Sequence, residues 1–251
     1  MKKLIILLAL IIAGGAFWFL SSDKLNVFIA EQIEVQGSKF TEQRVTVEKV
    51  DIQLLHGAST IKGLRLNNPK GYSSTPAFSL DEITLDINLA SLAAVKDGKP
   101  IVIDAIVINE PEALVEFNAK GGSNIQDILD AIDRNIPKSS STKEGNTDSA
   151  SASAANPNIR VKQFILAGVA LRVDLTKLGN TTHKKTLTDI NLTNIGGEAG
   201  LPANELGGEL IKRALSAIWK SAKKDQQRIV EDKLKDKAKE KASKLLSDFL
   251  N

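Results

Sequence analysis

The stretch IVIDAIVIN, residues 101–109, carries the pattern on which the fold prediction depends. Its isoleucines occupy the first, third, sixth and eighth positions, so strict alternation fails once, in the middle of the stretch. A half-buried strand alternates throughout, because successive side chains point to opposite faces of the sheet. An inserted residue, as in a β-bulge, returns both halves to one face, and so does a turn. The pattern therefore predicts either a bulged strand or a short hairpin.

The same spacing of apolar residues recurs along the chain. Further copies, whole or partial, begin at Val45, Ile61, Phe78 and Ile159. Repeated bulges at one level bend the strands and would curve the sheet into a trough, whereas tight turns would give a set of short hairpins. Two more strands are predicted at residues 169–175 and 187–192.

Helical spacing of apolar residues marks three other segments. Residues 21–40 are predicted to form a helix for which Gly37 is the stop signal. Ser123 is predicted to cap a short helix over residues 123–132. From about residue 205 the chain predicts an amphipathic helix, or two helices broken near Asp225. This segment either packs on the sheet with its charged face in solvent or lies on an anionic membrane surface.

The predicted fold class is α+β, with an N-terminal transmembrane helix, a curved, groove-like antiparallel β-sheet and C-terminal amphipathic helices. Residues 138–158 are rich in Ser, Ala and Asn and have almost no large apolar side chain, which predicts a disordered linker. The predicted domains are an anchor (1–22), a β domain with a short helix (23–137), the linker (138–158), a continuation of the sheet (159–203) and a lysine-rich helical segment (204–251).

The N terminus carries an uncharged apolar run over residues 4–20, preceded by Lys2 and Lys3. Its length is at the short end of what spans a bilayer, and Trp18 near its outer end suits the membrane interface. The two lysines favour the cytoplasmic side, which sends the body of the chain across the membrane. A cleaved signal peptide is the alternative, because residues 13–16 are small; the apolar residues that follow them favour a retained anchor.

Composition and motifs give no indication of catalysis. The chain has no cysteine, and its net charge of +3 is too small to indicate nucleic-acid binding. His56 and His183 are far apart in sequence and lie in polar, turn-like surroundings. We find no nucleophile elbow, phosphate-binding loop or zinc-binding spacing. We therefore expect a protein that is not an enzyme and that has no cofactor, no metal and no nucleic-acid partner.

Several segments of the chain resemble AsmA-like proteins of Gram-negative envelopes. The most suggestive is IVIDAIVINEP, residues 101–111, and TIKGLRLNNPKGY, residues 60–72, is similar in the same way. Residues 78–83 and 89–92 also resemble the family, and GGSNI, residues 121–125, resembles the Gly/Ser-Asn-aliphatic signature that follows. The resemblance covers the apolar N-terminal run and roughly residues 40–132.

This resemblance implies an inner-membrane, single-pass protein with its body in the periplasm and with a curved β-sheet. In the large members that sheet forms a long apolar groove, similar to that of chorein-type bridge proteins, which is thought to carry phospholipid toward the outer membrane. The present chain is short and has strands for a short groove only. Its length favours lipid binding, assembly support or a paired role over bulk lipid conduction. Each of these roles would belong to outer-membrane biogenesis.

Two functions follow as expectations. In the first, a concave apolar face binds the acyl chains of membrane lipid, and the residues expected to line or floor it are Ile83, Leu85, Ile87, Ile103, Ile106 and Ile108. The same residues would equally suit an ordinary core beneath a helix. In the second, C-terminal helices seal the sheet, and the protein is a scaffold that recruits envelope protein partners.

Overall fold

A computed structural model describes residues 23–53, 56–136 and 157–249 of the chain. The predicted anchor (4–20) and all but the last two residues of the predicted linker (138–158) lie outside these ranges. Within them the protein is α+β, with a single sheet of 11 strands and helices on one of its faces. Among the described helices, none combines the length and the apolar character needed to cross a bilayer.

The helices and strands alternate along the chain without separating into two blocks. The α-helices are α1 (Asp23–Thr41), α2 (Leu89–Ala94), α3 (Asn124–Asn135) and α4 (Ala203–Phe249). The strands are β1 (Val45–Thr46), β2 (Lys49–Gln53), β3 (Ala58–Leu66), β4 (Phe78–Ile87), β5 (Ile101–Asn109), β6 (Glu112–Glu116), β7 (Asn158–Ala167), β8 (Ala170–Asp174), β9 (Thr182–Thr186), β10 (Ile190–Ile195) and β11 (Leu201–Pro202).

Several of these strands are halves of longer ones. Against β4, Ile83 pairs with Ile108 of β5, and Phe78, five residues earlier, pairs with Ala113 of β6, five residues later. The register is therefore continuous from β5 into β6. The register is likewise continuous from β7 into β8, which pair with β5 and β6. It is also continuous from β9 into β10, which pair with β8 and β7. The sheet thus consists of long strands side by side, and most of these strands are interrupted along their length.

The prediction of an antiparallel sheet is wrong at two places. β7 runs parallel to β5, and β8 runs parallel to β6. Parallel neighbours need a crossover connection, and the chain between β6 and β7, which includes α3, is long enough to provide it. The sheet is therefore mixed. The sequence could not reveal the two parallel pairs, because the spacing of apolar residues is the same in parallel and antiparallel strands.

Two rows of interrupted pairing cross the sheet. The first row consists of Gly63, Asp81, Glu110, Gly168 and Thr188, and the second consists of Gly57, Asp104, Lys162 and Asn194. Positive φ angles concentrate there, including 50° at Glu110 and 51° at Asn194. Between β4 and β5 the register shifts at Asp86/Ile87, as in a β-bulge. The slip read in the sequence is therefore real, but it lies at two levels of the sheet and not at one.

The glycine predicted to stop the first helix has another role. α1 continues through Gly37 to Thr41, and Gly37 is buried. A Cβ atom at this position would lie 3.1 Å from Cγ2 of Val45, which is closer than ordinary van der Waals contact. Gly37 therefore allows the helix to approach β1, and the prediction of a stop there is wrong.

The connection between β4 and β5 carries an Asp97–Gly98 pair, which is typical of tight hairpin turns, but it is not a tight turn. The chain between β4 and β5 forms α2 and a 3-10 turn, Val95–Asp97. Asn88 caps α2, because its side chain accepts a hydrogen bond of 3.2 Å from Ser91 N. By contrast, the cap predicted at Ser123 is confirmed: its hydroxyl accepts from Gln126 N at 3.2 Å. The C-terminal segment forms one helix, α4, and not two.

Candidate functional site

The six residues expected to contact lipid lie together on one face of the sheet. They form three neighbouring cross-strand pairs between β4 and β5: Ile83 with Ile108, Leu85 with Ile106, and Ile87 with Ile103. Residues directly opposite each other in a sheet share a face and lie in contact range. The structure therefore brings all six residues into a single apolar patch.

This patch is the centre of three apolar rows that continue into neighbouring strands. The rows are Val50–Ile61–Ile83–Ile108–Leu166–Ile190, Ile52–Ser59–Leu85–Ile106–Phe164–Leu192 and Ile87–Ile103–Val161–Ile195. All but Ser59 of these positions carry an aliphatic or aromatic side chain. One face of the sheet is therefore apolar from β2 across to β10.

Helices cover this apolar face. α1 packs against β1 and β2, and α4 packs against β7 and β10. Ile103, Ile106 and Ile108 are only 4–7% exposed, and Ile83 is 9% exposed. Leu85 and Ile87 are half-buried. Four of the six residues thus belong to the hydrophobic core, Leu85 packs at its periphery, and Ile87 lies outside it.

α4 covers the part of the apolar face that lies over β7 and β10. Leu206, Leu215 and Ile218 are buried against the core, and Trp219 lies with its ring centroid 5.6 Å from that of Phe117. The last buried residue of the described side chains in α4 is Ala222. The backbone of this helix continues to Phe249.

Three clefts in the described part of the chain lie away from the six residues. A cleft of 450 Å³ crosses β6, β8 and β9 on the face opposite the helices, and its lining includes Arg172 and Lys184. A cleft of 230 Å³ lies between α4 and the start of β10, beside Lys220 and Lys224. A third, of 340 Å³, lies between the β10–β11 loop and α4. None of the three has any of the six residues in its lining.

A buried polar cluster, which the sequence reasoning missed, joins two of the segments that carry the family resemblance. Asn124 is fully buried, and its amide nitrogen donates to Asn68 Oδ1 at 2.7 Å and to Leu114 O at 2.8 Å. Its carbonyl oxygen accepts from Glu116 N at 2.9 Å and from Ile125 N at 2.8 Å. All hydrogen-bonding positions of this amide are therefore used.

The carboxylate of Glu116 extends the cluster to the β3–β4 loop. It accepts from Asn68 Nδ2 at 2.5 Å and from Ser73 Oγ at 2.6 Å, and Glu116 is only 6% exposed. Nearby, Tyr72 donates to Asp127 Oδ2 at 2.9 Å, and burial together with this bond raises the pKa of Tyr72 to about 12. The cluster fixes the loop over β6. Sequence patterns could not reveal this cluster, because the partners of Asn124 are distant in sequence.

A charged pair marks the second row of interrupted pairing. Lys162 Nζ lies 2.6 Å from Asp104 Oδ1, and Asn88 Nδ2 donates to Asp104 Oδ2 at 3.0 Å. The hydrogen bond from Lys162 and that from Asn88 outweigh desolvation and hold the pKa of Asp104 below its ordinary value. The pair ties β5 to β7 at the level where their ladder is interrupted, which is a structural role.

The described residues offer no arrangement for metal binding: residues 23–53, 56–136 and 157–249 contain no group of three or more His, Asp or Glu side chains that could hold an ion. His56 is exposed, and His183 lies on β9 with Thr181 as its hydrogen-bonding neighbour at 3.4 Å.

Comparison of the chain with protein-family models, with curated proteins and with solved structures finds no match.

The two edges of the sheet differ in how they end. At one edge, β1 and β2 pair with β3, and three side chains of α1 accept hydrogen bonds from the backbone of this edge: Asn26 Oδ1 from Ile52 N at 2.9 Å, Glu34 Oε1 from Val47 N at 2.8 Å, and Ser38 Oγ from Val45 N at 2.9 Å. We call this the closed edge. The opposite edge is formed by β9 and β10, and we call it the open edge.

Proposed function

We propose that this protein is a non-enzymatic scaffold of the bacterial envelope, anchored in the inner membrane by residues 4–20, with its body in the periplasm. The observation that carries the proposal is the cover of α1 and α4 over the apolar face of the sheet. With four of the six candidate lipid-contacting residues in the core, the accessible surface of the body is left to interactions with protein partners. Support of outer-membrane biogenesis is the role that the family resemblance favours.

Exposed apolar side chains along α1 support a position close to a membrane. Val27, Phe28 and Val35 are exposed by 65%, 48% and 52%. Apolar side chains in such numbers on one short helix suit an apolar or interfacial surrounding better than bulk water. α1 begins at Asp23, directly after the predicted anchor, so its first turns would lie at the membrane surface.

A photo-crosslinking residue at Leu85 tests the scaffold in the full-length chain in its membrane. Leu85 is half-buried on the helix-covered face, and Thr84, its neighbour, is exposed on the opposite face and serves as the matched control. If helices seal the sheet, the probe at Leu85 gives crosslinks within the chain and no lipid adduct by mass spectrometry. A lipid adduct at Leu85 that is absent at Thr84 would show that the scaffold proposal is wrong.

Binding of lipid acyl chains is the second candidate function. The observation that favours it is the continuity of the three apolar rows across the sheet, which would accommodate an extended chain if α1 or α4 moved away. Leu85 and Ile87 are the half-buried members through which an acyl chain would enter. In this case Leu85→Asp abolishes the lipid adducts of a probe at Ile87, whereas Thr84→Asp leaves them unchanged.

A further inference from the structure

The open edge leaves backbone groups of β9 pointing away from the sheet. Among the described residues β9 pairs with β8 alone. Leu187 N donates to Val169 O at 2.9 Å, and Leu175 N donates to Thr181 O at 3.4 Å, so the odd-numbered residues at both ends of this ladder face β8. Hydrogen bonding alternates along an antiparallel strand. The N–H and C=O groups of Thr182, Lys184 and Thr186 therefore face outward.

Cationic side chains flank this edge on both faces of the sheet. On the face opposite the helices, Arg172 and Lys184 lie directly opposite each other on β8 and β9 and line the cleft of 450 Å³. On the helix side, Lys185 donates to Ser221 Oγ at 3.1 Å, and Lys220 and Lys224 line the cleft of 230 Å³. Glu112 also lines the cleft of 450 Å³, and Arg172 lies near Asp174. Cationic side chains nevertheless outnumber carboxylates among the residues that line the two clefts.

The same charges oppose pairing between two copies of the chain. An antiparallel pair of β9 strands would bring Lys184 and Lys185 of both copies together, and like charges on neighbouring strands are destabilising. Lysines on an exposed edge are a common device against such pairing. A strand with carboxylate side chains, by contrast, would gain hydrogen bonds from the backbone and favourable electrostatics on both faces.

We propose that the open edge binds an extended, acidic segment of a protein partner, which adds to the sheet as a strand beside β9. Its outward N–H and C=O groups pair with those of Thr182, Lys184 and Thr186, and its carboxylates lie against Arg172 and Lys184 on one face. This inference rests on the proposed scaffold function, because it names the surface and the class of partner that the scaffold would use.

Proline at Lys184 tests the backbone part of this proposal. It removes an N–H that the β8–β9 ladder does not use, so the fold is retained while a partner strand loses its hydrogen bond. The full-length chain is placed in phosphatidylcholine nanodiscs, and a labelled peptide in which Glu alternates with Thr is titrated by fluorescence anisotropy. We expect Lys184→Pro to weaken binding about tenfold or more.

Two controls separate the backbone from the charge. Lys184→Ala retains the N–H and is expected to weaken binding less than Lys184→Pro does, and salt weakens binding to the unaltered chain. Lys184→Glu, which cannot distort the strand as proline can, is expected to weaken binding by reversing the charge. A peptide with Lys in place of Glu is expected not to bind. Circular dichroism of each variant checks that the fold is intact.

Several outcomes would overturn the inference. They are the absence of peptide binding at low salt, equal binding by Lys184→Pro and the unaltered chain, and dimerisation through β9. Protection of the Lys184 and Thr186 amides from hydrogen exchange by phosphatidylglycerol nanodiscs without the peptide would identify a membrane surface instead. A lipid adduct at Leu85 together with peptide binding would refute the scaffold proposal but not the binding site at the open edge. Crosslinks within the chain at Leu85 without peptide binding would refute the binding site but not the scaffold proposal.

Discussion

The two edges of the sheet differ in what happens to the backbone groups that have no neighbouring strand. At the closed edge, a helix places an amide, a carboxylate and a hydroxyl against the backbone N–H groups of residues 45–52. At the open edge, β9 presents its outward backbone to its surroundings and carries lysines. Exposed edges invite pairing with other chains, and proteins either cover them or charge them. The difference suggests that one edge is sealed as part of the fold and the other is kept for an interaction.

The closed edge is contacted by α1, the helix that follows the predicted anchor in the sequence. α1 follows residues 4–20 and leads directly into β1, and Gly37 lets its C-terminal part approach Val45. Since three separate side chains of α1 bond to the edge strands, the helix is fixed along its length and not only at one end. A motion of the N-terminal end of α1 would therefore be passed to the sheet through this edge.

A pair of proline substitutions is expected to give the largest contrast between the edges. Val47→Pro removes the N–H that donates to Glu34 Oε1 and leaves a carboxylate without its partner, at a cost of about 3 kcal/mol or more relative to Val47→Ala. Lys184→Pro removes only an outward N–H and is expected to cost less than about 1 kcal/mol relative to Lys184→Ala. Chemical denaturation of the four variants measures both differences. Equal costs at the two positions would show that α1 does not seal its edge.

A smaller effect is expected from the acceptor side of the same bond. Glu34→Ala is expected to lower the free energy of unfolding by about 2 kcal/mol, because Val47 N loses a charged acceptor, and Glu34→Gln by about 1 kcal/mol, because the amide oxygen still accepts. Glu31→Ala, an exposed position on the same helix, is the control and is expected to change little. Faster hydrogen exchange at Val47 in Glu34→Ala alone would locate the effect. A loss of stability in Glu31→Ala of the same size would instead indicate a general effect on the helix.

Local features of the two edges could be predicted from the sequence, but their difference could not. The spacing of apolar residues in residues 101–109 and its copies predicted interrupted strands, and the structure has them because the slip is a property of the local chain. The Ser123 cap is equally local. Which edge a helix closes depends on contacts between Glu34 and Val47 across a turn, and neither residue differs in kind from many others in the chain.

The candidate site shows the same limit. The spacing of apolar residues predicted that Ile83, Leu85, Ile87, Ile103, Ile106 and Ile108 share one face, and the structure pairs them across β4 and β5. The spacing could not say what covers that face, because a groove that binds acyl chains and a core beneath helices need the same residues. Asn124 was missed for a related reason: its partners Asn68 and Glu116 come from other parts of the chain, and only the folded structure brings them together.

The smallest expected effect is a dependence on pH at the end of the closed edge. Glu42 follows α1 and accepts hydrogen bonds of 3.0 Å from Asn135 Nδ2 and from Arg134, both of α3. These bonds, that from Asn135 first, lower the pKa of Glu42 below its ordinary value of 4.5. A lowered pKa in the folded state means that the contribution to stability is fully present above pH 4.5 and is lost as pH falls through the folded value. Glu42→Gln is expected to remove this part of the pH dependence.

Asp174, beside the open edge, provides the comparison for that measurement. Burial alone would raise its pKa, but hydrogen bonds from Thr176 to Asp174 Oδ1 lower it. These bonds are local to one turn, whereas those of Glu42 join α1 to α3. Acidification is therefore expected to speed hydrogen exchange in α1 of the unaltered chain, after correction for the intrinsic rate, and to leave α1 unaffected in Glu42→Gln. Asp174→Asn is expected to alter exchange only around residues 174–178. If Asp174→Asn changed α1 as strongly as Glu42→Gln, the two edges would not be independent, and the closed edge would not be a unit of its own.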